Sequence, residues 1–303
     1  MTYQHIFKSA VDGKFYGANG DPDRDRHLFE AAGIIKPDDI KAIDTVAVLD
    51  GVFGLARPQY VLRQACRAVR MDALTASIDV ATAFSGKEKV EPLEEADIVA
   101  QAYTRTNFDL WKNVVHVVAA DESVKKASHD IMALQIADAA RELARMENSQ
   151  IKTILEAGTH TSAGADWGTA VNPYNDIITA LTSIEGDHGF EPTHVVAHPY
   201  VWMDFFGNSF VKGTLQGEVL PAGKTFSVPG LPGINGISDW QLTSTIALIV
   251  SLSAPAAVLG DGPVEAARYR NEKAGYDAHI IRQWLEPKIV LDGAIYRLTG
   301  VHA

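Results

Sequence analysis

The chain has 303 residues, of which 27 are basic and 38 acidic, giving a formal net charge of −11, and 47% are hydrophobic. A chain of this size and composition buries a substantial core. It lacks the basic stripe that sequence-specific nucleic-acid binding requires and the run of about 18 apolar residues that a membrane span requires. One cysteine, Cys66, excludes an intrachain disulfide, and the start MTYQHIFKSAVDGKFYG has no signal-peptide core, so cytoplasmic synthesis is expected.

Gly13, Gly17, Gly20, Pro22 and Gly33 punctuate residues 1–50. These read as an extended arm with a short helix near Arg26–Ala32. Asn19, Asp21, Asp23 and Glu30 stand at positions 1, 3, 5 and 12 of a calcium-loop register. The sixth position, which demands glycine, is Arg24, and the fourth is Pro22, so the segment reads as a solvated acidic turn. Ala56–Val69 is expected to be a helix opened by Pro58, with Cys66 as a small buried hydrophobe. In MDALTASIDVATAF the residues Leu74, Ala76, Ile78, Val80 and Phe84 alternate with Thr75, Ser77 and Asp79, which is strand periodicity. SGKEKVEPLEEAD, residues 85–97, is a charged tip. YTRTNFDLWKNVVHVV, from Tyr103 to Val118, then returns as a second extended segment. A two-stranded arm of this kind is marginal alone, so it is expected to lie on another surface, naturally that of a neighbouring subunit.

From Asp121 to Ala157 there is no glycine or proline. Ala133, Ile136, Ala137, Ala140, Leu143, Ala144, Ile151, Ile154 and Leu155 fall within one arc at 100° per residue, opposite Asp138, Arg141, Glu142, Arg145, Lys152 and Glu156. The pattern predicts a helix roughly 40–45 Å long, with Ser128 as N-cap and Gly158 as the left-handed stop. Beyond it, Gly158–Pro173 reads as a loop, Tyr174–Glu185 as a helix, Thr193–His198 as a buried strand and Tyr200–Phe206 as a short helix. Gly213–Gly236 reads as irregular, Ile246–Ser251 as a core strand, and Val264–Tyr269, Ala278–Trp284, Lys288–Leu291 and Ile295–Leu298 as further strands. The order is α+β, without the βαβ alternation of a doubly wound sheet.

No group of residues assembles into a catalytic constellation. Ser123/Lys126, Ser149/Lys152 and Ser209/Lys212 match Ser-x-x-Lys but lack the companion motifs, the nearest being Ser238-Asp239-Trp240 and Lys224-Thr225-Phe226. Gly230, Gly233 and Gly236 have the wrong spacing for a dinucleotide fingerprint. Gly223-Lys224-Thr225 ends like a phosphate-cradling loop, but Glu218 stands where that loop needs glycine. His194 and His198 share a face if both lie on one strand, yet no third ligand supports them. His116, in VVHVV, reads as an interior or interface histidine. Glu147 interrupts the apolar arc of the long helix. Arg141 and Arg145 lie on the opposite face, so a buried Glu147 needs an ion-pair partner from elsewhere. No catalytic, cofactor-binding or metal residue is assigned, and the chain is not expected to be an enzyme.

Four segments carry a resemblance: VVHVVAADESVKKASHDI entering the long helix, ARMENSQIKTILEAG leaving it, GFEPTHVVAHPYVW, and AIYRLTGV near the C-terminus. With the order of elements, they resemble the major capsid proteins of tailed phages, the Hong Kong 97-type fold that encapsulin nanocompartment shells share. The resemblance implies an N-terminal arm at 1–53, a helix at 54–70, an extended loop hairpin at 71–120 and the spine helix of a peripheral domain at 121–171. An axial domain at 172–260 follows, then peripheral-domain strands and a C-terminal closing strand at 261–303. It further implies a structural major capsid protein that self-assembles, as pentamers and hexamers, into an icosahedral shell enclosing double-stranded DNA. Such a protein belongs to the virion and is assembled in the host cytoplasm. Scaffolding, portal and decoration proteins are the further partners implied. DNA would be contained rather than recognised, and no membrane takes part. No room precedes the arm for a scaffolding domain, so a separate scaffolding protein or none is expected. Lys87 or Lys89 is where the lysine–asparagine crosslink of some members would form, although nothing singles either out. An encapsulin-type shell around cargo protein is the alternative. Its usual amphipathic N-terminal helix is poorly matched by MTYQHIFKSAVDGKFYGANG, with glycines at 13, 17 and 20. A soluble metal-dependent enzyme using His194 and His198 is the third reading.

Overall fold

The computed structural model describes residues 7–8, 15–16, 48–81, 103–120, 131–169, 171–215 and 223–303. Strands β1 (Phe7–Lys8) and β2 (Phe15–Tyr16) form a two-rung antiparallel ladder. Helix α1 covers 48–56. Two 3-10 turns, Arg57–Gln59 and Leu62–Ala65, lead into β3 (Arg67–Arg70). Then come β4 (Thr75–Ala81), β5 (Tyr103–Asp109), β6 (Trp111–Ala120) and α2 (Ile131–Leu155). These are followed by β7 (Thr161–Ala163), α3 (Pro173–His188), β8 (His194–Ala197), α4 (Pro199–Gly207) and α5 (Ser209–Leu215). The chain closes with β9 (Thr225–Ser227), β10 (Asn235–Ser238), β11 (Ile246–Val250), β12 (Ala257–Asn271), β13 (Tyr276–Ile289) and β14 (Ile295–Thr299).

The longer strands make two sheets. One is four-stranded in the order β3-β12-β13-β6, the other six-stranded in the order β7-β14-β11-β8-β10-β9, and β4 and β5 pair as a separate hairpin. Helix α2, 25 residues and about 37 Å long, joins the two sheets. Its first half buries Ala139, Ala140, Leu143 and Ala144 against Val117, Ile281, Val52 and Ala56 of the four-stranded sheet and α1. Its last turns place Ile151 and Leu155 among Val196, Ile237, Leu248 and Ile295 of the six-stranded sheet. The buried side is the arc expected from the 3.6-residue period, and Asp138, Arg141 and Arg145 are exposed.

Several expectations are corrected. Residues 54–70 are not one helix. Pro58, which has no N–H to donate, ends α1 and starts a 3-10 turn, and Arg67–Arg70 instead pairs in parallel with Val258–Asp261. The last residues of the expected arm, 48–53, are helical and pack on α2. The segment Tyr103–Val118 divides at Leu110: β5 pairs with β4, whereas β6 leaves the hairpin and pairs with β13. Gly158 is not in the left-handed region. It is small because a Cβ there would meet Ile295 Cγ2 at 3.1 Å, and the helix ends through hydrogen bonds from Ala157 N to Ile154 O and Gly158 N to Leu155 O. The stretches expected to be irregular contain β7 and β9, and β12 and β13 run longer than the separate strands expected. β12 begins at Ala257, inside the stretch expected to be axial, and β14 joins the six-stranded sheet. Ser128, the acidic turn at 19–30 and the charged tip at 85–97 lie outside the described residues.

Candidate functional site

Glu147 sits fully buried on the core side of α2, and its partner is Arg63, from the 3-10 turn before β3. Arg63 Nε donates to Glu147 Oε1 at 2.7 Å and Nη2 to Oε2 at 3.2 Å. The other edge of the guanidinium meets both carboxylate oxygens of Asp261 at 3.2 Å. Gln283 Nε2 of β13 donates to Glu147 Oε2 at 2.7 Å, and the Arg63 guanidinium lies 5.2 Å from the Tyr60 ring centre. Burial pushes the Glu147 carboxyl above its ordinary range against the pull of Arg63. Burial works to lower the Arg63 pKa, but the two carboxylates outweigh it and raise it. The neighbouring Asn148 accepts from Leu62 N at 3.3 Å and donates to Gln59 O at 3.0 Å. These contacts fasten α2, the 57–65 connection, β12 and β13 together. Cys66, beside them, is buried, and burial pushes its thiol up to about 12.

Among the described residues, the β4–β5 hairpin is anchored at its root. Met71, Phe108, Leu110 and Val258 form a small core there, with Ala76, Ile78 and Trp284 packed against it. Glu286 Oε2 accepts from Asp109 N at 2.5 Å, and Lys288 Nζ donates to Asn107 O at 2.5 Å. Gly262 permits the close approach, since a Cβ there would lie 2.6 Å from Leu110 Cδ1. Further out, Arg105 clasps Asp79 across the ladder at 2.8 Å, with both side chains largely in solvent.

On the six-stranded sheet, α4 and α5 expose Tyr200, Met203 and Phe210. The junction between them is fixed by buried Asn208, whose Nδ2 donates to the carbonyls of Trp167, Thr169 and Val171 at 2.9, 3.0 and 2.8 Å. A cleft of about 420 Å³ between the polar face of α2 and the loop after β10 is rimmed by Arg141, Arg145, Lys224, Asp239 and Trp240.

The residues weighed for chemistry are not brought together. His194 opens β8, with Nδ1 2.8 Å from Thr193 Oγ1. His198 is beyond the strand end and caps α4, its Nδ1 accepting from Tyr200 N at 3.1 Å. The shared strand face expected for the two does not exist. Pro199 directly after His198 was the available signal, because proline favours the first helical position. Ser149 contributes only its carbonyl, accepting from Thr153 Oγ1, and Lys152 lies 3.9 Å from Glu156. Gly223, at φ +120°, leads into β9. Among the described residues no three His, Cys, Asp or Glu side chains are grouped to hold a metal ion, and no helix is long and apolar enough to cross a membrane. Ser123 and Lys126 lie outside the described residues.

No family model and no curated protein matches the chain. Solved structures do. A virus-like particle from Pyrococcus furiosus is similar with a TM-score of 0.59 at 14% identity, over 83% of this chain and 97% of that one. The capsid of a native GTA particle is similar with a TM-score of 0.63 at 14% identity, over 81% and 91%. Microbacterium phage Oxtober96 gives 0.60 at 14%, over 78% and 90%. The chain has the α+β, Hong Kong 97-type fold of capsid proteins.

Proposed function

We propose that this chain is a major capsid protein that self-assembles into a closed icosahedral shell around double-stranded DNA, with a structural rather than a catalytic role. The observation that carries the reading is the similarity in fold, over about four-fifths of the chain, to proteins described as capsids and a virus-like particle. In this reading the four-stranded sheet with α2 is the peripheral domain, and the six-stranded sheet with α3, α4 and α5 is the axial domain. The β4–β5 hairpin is the arm laid on the next copy. A head-to-tail contact of that kind, repeated, closes into rings. The net charge of −11 suits a wall that contains DNA without gripping it.

The test is expression of the chain alone, followed by light scattering and negative-stain microscopy. Closed shells or capsomer rings are expected. A monomer that stays monomeric with and without co-expressed neighbouring genes overturns the reading. One observation favours a second content for the same shell: the match covers 97% of the chain of the Pyrococcus virus-like particle. Nuclease-protected DNA inside purified particles supports the viral reading, and a stoichiometric co-purifying protein supports a cargo shell.

A further inference from the structure

The cleft of about 420 Å³ between α2 and the turn after β10 carries an exposed tryptophan on a fixed support. The Trp240 side chain is 63% exposed, although one so large is ordinarily well buried. The turn that bears it, 239–243, is held from two directions. Asn148 Nδ2 of α2 donates to Asp239 Oδ2 at 3.3 Å, and Glu156 of α2 accepts from Thr243 N at 2.8 Å and from Thr243 Oγ1 at 3.0 Å. From the other side, His198 hydrogen-bonds the Trp240 backbone. The indole is therefore presented in place, without a loop to order when something lands on it.

The walls narrow what the cleft can take. Its volume falls within the ~300–1,000 Å³ of small-molecule sites. Arg141, Arg145 and Lys224 line it together with Asp138, Glu142 and Asp239, so a net anion or a net cation meets as much repulsion as attraction. Two of the cations are already paired along α2, Arg141 Nη1 to Asp138 Oδ1 at 3.1 Å and Arg145 Nε to Glu142 Oε2 at 2.9 Å. Apart from the indole, only Ala144 is apolar among the described lining residues, and none of them belongs to a strand. The cleft thus offers neither an apolar groove for a helix nor a sheet edge for an extended peptide.

One group that lines it has hydrogen-bonding capacity to spare. Asp239, 3% exposed, accepts from Gln241 N at 2.8 Å and from Asn148 Nδ2, both neutral donors. A carboxylate accepts about four hydrogen bonds, so about half of its capacity is open. Burial holds the Asp239 carboxyl above its ordinary range, and further O–H donors would stabilise its charged form. The rim supplies N–H donors from arginine, lysine and glutamine. The electron-rich face of the indole suits C–H bonds, which line one side of a pyranose ring. A neutral ligand with adjacent hydroxyls and one apolar face meets all of these demands. We infer that the cleft is a saccharide-binding site, taking a neutral hexose with its C–H face on Trp240 and adjacent hydroxyls on Asp239. The site goes beyond the shell reading and does not depend on it, because its described lining residues all belong to one copy of the chain.

The test is saturation-transfer NMR on the full chain with glucose, galactose, mannose, N-acetylglucosamine and maltose at millimolar concentration, and with adenosine beside them. At least one of these sugars should bind saturably, and the ring protons of one face should receive most of the transfer. Trp240→Ala should weaken that binding about tenfold, whereas Trp240→Phe, which keeps an aromatic face, should retain most of it. An unchanged melting temperature shows that both variants are folded. Failure of every sugar to bind overturns the inference, and so does binding that Trp240→Ala leaves unaltered. Adenosine bound more tightly than any of the sugars makes the occupant a nucleobase and also overturns it. None of these outcomes reads assembly, so the shell reading stands or falls separately.

Discussion

Arg63 and Glu147 stand 84 positions apart in the chain, yet the guanidinium of one presents two N–H groups to the carboxylate of the other, which is fully buried. Replacing Arg63 by Ala leaves that carboxylate with Gln283 alone and should cost about 3–5 kcal/mol in urea unfolding. The same change at Asp261, which is 30% exposed and can be rehydrated, should cost less.

The Arg63→Ala variant should be partly rescued by acid. Burial already holds the Glu147 carboxyl above its ordinary range, and loss of Arg63 raises it further. The folded state then binds more protons than the unfolded state between the ordinary carboxylate pKa and the raised one, so stability falls as pH rises through that window. The deficit of the variant relative to its parent should shrink from about pH 7 to about pH 5. A pH-independent deficit would mean that Glu147 is not the group left unpaired.

Asn208 aims its amide at three carbonyl oxygens, and its Oδ1 accepts from Phe210 N at 3.0 Å. Asn208→Ala should cost about 1–3 kcal/mol, chiefly through the unsatisfied carbonyl of buried Trp167. Asn208→Asp keeps the shape but sets a carboxylate against those carbonyls. It should be the more damaging change above the ordinary carboxylate pKa and recover on acidification, as thermal unfolding across pH would show.

At the hairpin root, Gly262→Ala puts a methyl 2.6 Å from Leu110 Cδ1 and should cost about 1–3 kcal/mol. Leu110→Ala in the same chain should relieve part of that strain, giving a non-additive double-mutant cycle. Additive losses would remove Leu110 as the obstacle.

Deleting residues 85–97, the charged tip, should leave the melting temperature of the subunit nearly unchanged while impairing shell formation. Light scattering on the purified variant checks both. Shells formed at the parental yield would remove the tip as an intersubunit clamp.

Burial lowers the pKa of His194. Its contribution to stability is therefore full above the ordinary histidine value of about 6.5 and is lost as pH falls through its lower folded value. His194→Gln should flatten the stability profile in that range, a change that chemical denaturation at a series of pH values detects.

The inward face of α2 is plain in the sequence, because a 3.6-residue period sustained over 25 residues fits a helix and no strand. The need of Glu147 for a distant partner is equally plain, but not which partner, since nothing local ties position 147 to position 63. The division at Leu110 is hidden for a related reason. β5 and β6 have the same extended periodicity, and what changes between them is the partner strand, supplied by residues far along the chain. The segment 54–70 misleads because helix-forming residues on either side of Pro58 outweigh, in pattern alone, the parallel pairing that β12 offers to Arg67–Arg70. His198 follows the strand directly in sequence, and its role as a cap comes from the geometry of the turn, which an apolar pattern does not encode. The order of elements, rather than any single motif, points to the fold.

The passage from β5 to β6, with only Leu110 between them, has a mechanical meaning. A pull on the hairpin along its length reaches β6 directly, and β6 is held to β13 by a ten-residue antiparallel ladder whose hydrogen bonds run across the strands. Where that pull runs along β6, it acts in shear on all the rungs together instead of peeling them one at a time. On its other side β13 is held by the still longer β12, so tension passes through the sheet under α2 before it can disturb any single bond. Under the proposed shell reading, a wall of such subunits would resist stretching along β6 more firmly than across it, so its subunits would give way first where they are pushed sideways.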